Sequence, residues 1–260
     1  MLSHTLQIVK PRKLTKTLLA VVLALGVLST AGQIAKFQFG HGNLHGLVPL
    51  FYLDNEASVP TWYSSMGLML ASTLLVAIGA LRYRERDPFR YHWLALGVLF
   101  LLLSMDEVAM IHEYPIDLLR ERLHATGLLY YAWVIPGAAF VVLVFLGLLN
   151  FLRHLDRGVR FGFVAAGAVF VGGAIGIEML SGLHASRFGE DNLGYALIIT
   201  CEELCEMLGV VLFIHVLMGV LSASVSGIQV QMTPAQVAAD GGRELSPSPA
   251  WFVSGLETSP

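Results

Sequence analysis

Three stretches place ionisable side chains among apolar ones. "SMDEVAMIHE" carries Asp106, Glu107, His112 and Glu113, "GIEMLSG" carries Glu178, and "CEELCEMLG" carries Glu202, Glu203 and Glu206. Carboxylates and imidazole projected inward from facing helices are how helical bundles hold iron or manganese. Mixed oxygen and nitrogen donors suit Fe, Mn or Zn better than Cu(I), which prefers sulfur. These eight residues are therefore the candidate ligands of a divalent metal, with Glu107, His112 and Glu113 as ligands or partners of ligands. The same acids could instead form a proton or cation relay, because ionisable groups inside a membrane mark ion pathways. Glu-x-x-His, the usual di-metal spacing, is absent: Glu107 and His112 are five apart.

The elements that must position these groups are membrane helices. The 260 residues are 55% hydrophobic and 13% charged. That is about half the charge of a soluble domain, so the bilayer is the main solvent and the main partner. A net charge of −3 gives no reason to expect nucleic acid. About 20 apolar residues cross a bilayer as helix. Six stretches qualify, at roughly 17–35, 62–81, 91–112, 130–152, 160–182 and 195–221. The expected fold is an all-α polytopic membrane helix bundle of six transmembrane helices. Residues 1–16 form a tail, 17–221 the membrane domain with a Gly- and Pro-rich loop over 36–61, and 222–260 a disordered tail. The first span has a basic start and a tolerable cleavage site at Ser29–Ala31, yet the apolar run continues to Ala35, which favours an uncleaved helix.

Eleven Lys and Arg fall in the N-terminal tail and the loops near 82–90 and 153–160, against four on the opposite side. The positive-inside rule puts both termini in the cytoplasm. No Lys or Arg lies within a span, so seven carboxylates have no basic partner there. Rise per residue places Asp106 about 22 Å along its span, Glu178 about 27 Å along its own, and Glu202 about 10 Å below the outer end of the last span. All fall in the outer third of a core about 30 Å thick, so three helices contribute acids to one layer. On a regular helix Asp106, Met110 and Glu113 share a stripe, Glu107 and His112 point elsewhere, and Asp106 and His112 cannot share a face. The outer loop adds His41, His45, Asp54 and Glu56 as candidates, while His215 lies too deep to join them. Trp62, Tyr63 and Trp133 read as interfacial anchors. Gly172, Gly173 and Gly176 read as a small-residue packing surface. Cys201 and Cys205, four apart, read as packing residues.

"LSMDEVAMIHE", "GIEMLSG", "EELCEMLGVVLFIHVLM" and "LDNEASVPTWYSS" together resemble an uncharacterised group of bacterial six-span integral membrane proteins over about residues 50–220. The resemblance implies a six-helix fold in a bacterial inner membrane and carries no activity with it. The chain also resembles intramembrane zinc hydrolases, including alkaline ceramidases, in scale, but it lacks their His-x-x-x-His pair. No nucleotide loop, nucleophile elbow, haem-attachment motif or Schiff-base lysine within a span points to an enzyme class. Three readings follow: a membrane metalloprotein or metalloenzyme, a proton- or cation-coupled transporter, and an accessory subunit of a membrane complex or homo-oligomer.

Overall fold

The computed structural model describes residues 11–225, all-α with no strand among the described residues. The helices are α1 (Pro11–Phe39), α2 (Leu47–Phe51), α3 (Val59–Arg84), α4 (Arg90–Ala109), α5 (Ile116–Leu123), α6 (Val134–His154), α7 (Arg157–Val171), α8 (Glu178–Phe188) and α9 (Leu193–Val225). A π-helical segment, Gly172–Ile177, fuses α7 to α8. Six helical stretches are long and apolar enough to cross a membrane: α1, α3, α4, α6, the α7–α8 rod and α9. The protein is a multi-pass membrane protein. Two short helices, α2 and α5, lie in the connections.

Apart from Glu202, Glu203, Glu206 and His215, α9 is apolar around its circumference, and such a helix belongs in the middle. It packs against α1, α3, α7, the π segment and α8, while α3 and α4 pair as a hairpin. α6 is the least covered span, and Phe140, Leu143, Phe145 and Leu146 on it face outward, as lipid-facing residues do. Toward the Arg82–Arg90 loop the core is mostly apolar, with Leu75, Ile78, Phe151 and Leu217 fully enclosed, although Ser72, Arg90 Nε and His92 Nδ1 are also buried there. The polar interior lies at the other end, called here the acidic end.

Several boundaries differ from the sequence expectation. α1 extends beyond 17–35 at both sides, so the 36–61 region is loop only in part, and it also contains α2. Ser58 ends it by capping α3: its Oγ accepts the N–H of Thr61, and Pro60 sits in the first turn. The third span stops at Ala109 rather than 112, because Met110 turns into the left-handed region (φ 53°) and its N–H bonds back to the Asp106 carbonyl. The fourth starts at Val134, the fifth runs on to Phe188, and α9 carries the helix through residues 222–225 of the expected tail. The tail readings over 1–10 and 226–260 lie outside the described residues.

Candidate functional site

The site begins with a serine clamp. Ser65 Oγ donates to the Ser104 carbonyl at 2.8 Å and Ser104 Oγ to the Ser65 carbonyl at 2.9 Å. Reciprocal bonds of this kind lock α3 to α4 two residues before Asp106, and Ser64, next along α3, bonds the Glu107 carboxyl.

Breaking the helix at Met110 overturns the facing expected of Asp106, His112 and Glu113. The chain folds back, so that the backbone N–H of His112 donates to Asp106 Oδ1 at 2.9 Å and its Nδ1 meets Oδ2 at 2.8 Å. A carboxylate only accepts, so Nδ1 carries the hydrogen. Two residues that a regular helix would keep apart are thus an ion pair, and among the described residues it is the only ion pair these acids make. Burial alone would lower the pKa of His112. The bond and charge of Asp106 outweigh it and, with Glu113 and Glu178 nearby, hold it above its ordinary 6.5.

The His112 ring lies 4.7 Å from the Trp133 ring, and Trp133 Nε1 donates to Glu178 Oε1 at 3.0 Å. Trp133 is thus a site residue and not merely an anchor; its position just before an apolar helix hid that role. Glu178 leaves the π segment, a feature frequent at functional sites. Glu178 and Glu202 bring their carboxyl groups into hydrogen-bonding contact. Two ionised carboxylates have no donor, so a proton or a cation must stand between them. Glu202 is 4% exposed, and its Oε2 has no hydrogen-bond partner.

Glycine permits the approach at this level. A Cβ on Gly173 would meet the Glu202 carbonyl at 2.8 Å and Glu206 Cγ at 3.0 Å, whereas one on Gly172 or Gly176 would meet nothing within 4 Å. Only Gly173 of the expected three-glycine surface is a contact. Below it, Glu206 and Glu107 face a cavity of about 20 Å³ that Tyr63 and Ser64 also line. That is room for about one water. Tyr63, expected as an anchor, donates its hydroxyl to the Leu18 carbonyl at 2.9 Å and so ties α1 to this layer. Glu206 lies within electrostatic range of Glu107, Glu178 and Asp106, and Glu203 within range of Glu206 and Glu107.

The loop adds two acids. Glu56 hydrogen-bonds Glu113, and burial first, then the Glu113 charge and bond and the Glu107 charge, push its pKa up to about 7. Asp54 is open on one side, yet the protein around its carboxyl displaces bulk water, and Glu113, Glu190 and Glu178 add repulsion. Its pKa rises to about 6 despite a helpful bond from Tyr52. His41 and His45 are exposed. His215 bonds Thr15 Oγ at 2.8 Å, away from the acids. Cys201 and Cys205 are free thiols, with Cys201 exposed.

A family model described as a domain of unknown function (DUF8692) matches residues 17–221. The chain belongs to that family. No curated protein and no solved structure matches it. Every residue of the acidic layer, from Asp54 to Glu206, falls within the family's matched range.

Among the described residues no three His, Cys, Asp or Glu side chains gather around one point. Asp106 spends both oxygens on His112, and Glu178 spends one on Trp133.

Proposed function

We propose that the acidic layer is a proton relay, open at the loop end of the bundle and closed toward the Arg82–Arg90 end, serving a proton- or cation-coupled transporter. The observation that carries this reading is the Glu178–Glu202 contact, with Glu202 Oε2 buried and unpartnered. Protons enter from water at Asp54, Glu56 and Glu113. They reach His112, whose Nε2 is free to exchange a proton while Asp106 holds Nδ1. Glu178 and Glu202 then share a proton, and a water in the cavity links Glu206 to Glu107. The apolar core beyond them stops the relay partway across, as alternating access requires of a site that opens to one side at a time.

An even number of spans is consistent with residues 11 and 225 on the same side of the membrane. The distribution of Lys and Arg supports a cytoplasmic side for both, and the resemblance noted above supports a bacterial inner membrane.

The second reading is the divalent-metal centre of Fe, Mn or Zn, and His112 favours it. A histidine whose Nδ1–H is held by a carboxylate presents Nε2 in the tautomer and orientation that metal-binding histidines use.

One pair of measurements decides between them. Infrared spectra of the purified protein at neutral pH should contain a protonated-carboxyl band that disappears in Glu202→Gln and in Glu178→Gln. Absence of that band would overturn the relay. A stoichiometric transition metal in wild type, lost in Glu202→Gln, would replace the relay with the metal centre.

A further inference from the structure

Beside the acidic layer, and chemically its opposite, lies an open cleft of about 670 Å³ between α5, the turn after it and the end of α8. That is within the size range of small-molecule sites. Its wall includes Arg120, His124, Thr126, Leu183, Ser186 and Arg187, with no Asp or Glu among the lining residues. We propose that this cleft binds the phosphate of an anionic amphiphile, with a phospholipid headgroup as its natural form.

The arginines are available for it. Arg187 makes no ion pair among the described residues. Arg120 pairs only with Asp117, whose side chain is 81% exposed. Such surface pairs are weak and exchange readily. The guanidinium of Arg120 also lies 4.6 Å from the centre of the Tyr130 ring, which holds it at the cleft wall, and only its Nη2 bonds Asp117. Planar guanidinium groups match phosphate oxygens in pairs, and the hydroxyl of Thr126 supplies a further donor, while that of Ser186 is already given to the Leu183 carbonyl.

Position selects an amphiphile. α5 is amphipathic: Leu118 and Leu123 are exposed beside Asp117, Arg120 and Arg122. A short helix of that kind lies in the membrane interface with its apolar side in the acyl boundary. The cleft behind it is therefore at headgroup depth, and Leu183 gives it an apolar lining on which a glycerol backbone or upper acyl chain can rest. This inference does not depend on the proton relay.

The test follows thermal unfolding of the full chain in neutral detergent with dioctanoyl phosphatidylglycerol, with dioctanoylglycerol, which lacks phosphate, and with inorganic phosphate. The phosphatidylglycerol should raise the midpoint saturably and dioctanoylglycerol should not. Arg120→Gln and Arg187→Gln should each weaken the response on the order of tenfold, as loss of a charge-assisted hydrogen bond does. Arg187→Lys, which keeps the charge but loses the fork, should fall between. Arg122→Gln, on α5 but outside the cleft, should leave it unchanged. An equal shift from inorganic phosphate alone would support the site with free phosphate as its source. No shift from either phosphate compound, an equal shift from dioctanoylglycerol, full retention in both Gln variants, or an equal loss in Arg122→Gln would overturn the proposal.

Discussion

Glu178 and Glu202 sit on different spans, yet their carboxyl groups come within hydrogen-bonding reach, and Trp133, just before α6, donates to Glu178 Oε1 at 3.0 Å. The indole N–H is thus the donor that fixes Glu178 in place. Trp133→Phe keeps an aromatic ring at this position and removes the donor together with one of the two fused rings, so the double-variant coupling and not the single cost isolates the bond. It should cost about 1 kcal/mol, the lower end of the range for orphaning a partly buried acceptor. Denaturant unfolding of the variant, together with Glu178→Gln and the double variant, measures the coupling. A double-mutant coupling near zero would show that the bond does not hold in solution.

Gly173 and Gly172 make a paired test of the helix contact behind the acids. A methyl group at 173 would press on the Glu202 carbonyl and Glu206 Cγ, while one at 172 would meet open space. Gly173→Ala should destabilise by about 1–3 kcal/mol, as overpacking does. Gly172→Ala should be neutral or stabilise by up to about 1 kcal/mol through helix propensity. Equal effects of the two in thermal unfolding would mean that the close approach of the α7–α8 rod to α9 is wrong.

What the sequence made legible follows from period and composition. The six apolar stretches announce themselves by length alone, and the depth of the acids follows from counting residues along them. What stayed hidden depends on departures from regular helix. Met110 adopts a left-handed conformation that glycine, not methionine, usually marks, so nothing in "VAMIHE" warned that Asp106 and His112 would meet. Gly172, Gly173 and Gly176 did stand out, but their density signalled packing rather than the π segment that delivers Glu178. The Ser65–Ser104 clamp had no signal, because single serines in apolar helices are common. Trp133 was readable only as an interfacial residue, since its partner lies 45 positions away.

Topology is open to direct measurement. A fluorescent-protein fusion at the C-terminus should be fluorescent and an alkaline phosphatase fusion at the same point inactive, as a cytoplasmic end requires. The opposite pattern would reverse the bundle and place the acidic layer on the cytoplasmic side.

Asp106→Asn probes the His112 tautomer. Asparagine keeps an oxygen for the His112 backbone N–H, but its amide nitrogen faces Nδ1 with a donor. The ring should then move its hydrogen to Nε2 and accept at Nδ1. Nitrogen NMR of the labelled ring should report that switch together with a fall in the His112 pKa. Stability should drop by about 1 kcal/mol, because the pair is only partly buried. An unchanged tautomer and pKa would mean that Asp106 does not hold the ring.

The groups at the mouth also fix how stability depends on pH. Glu56 titrates at about 7 in the folded chain against an ordinary 4.5, Asp54 at about 6 against 3.8, and His112 above its ordinary 6.5. In all three the folded chain binds its proton more tightly than the unfolded chain does. Wherever the folded state holds more protons, stability falls as pH rises. The contribution of Glu56 is complete below 4.5 and is lost as pH rises through about 7. That of Asp54 is complete below 3.8 and lost through about 6. That of His112 is complete below 6.5 and is lost as pH rises through its raised folded value. The unfolding midpoint should therefore fall steadily from about pH 5 to about pH 8. Glu56→Gln, which cannot ionise, should flatten the curve up to about pH 7, and His112→Gln should flatten the part above 6.5. A wild-type midpoint that rises over that interval would mean these acids are fully hydrated, and that the mouth of the acidic layer is more open than its packing implies.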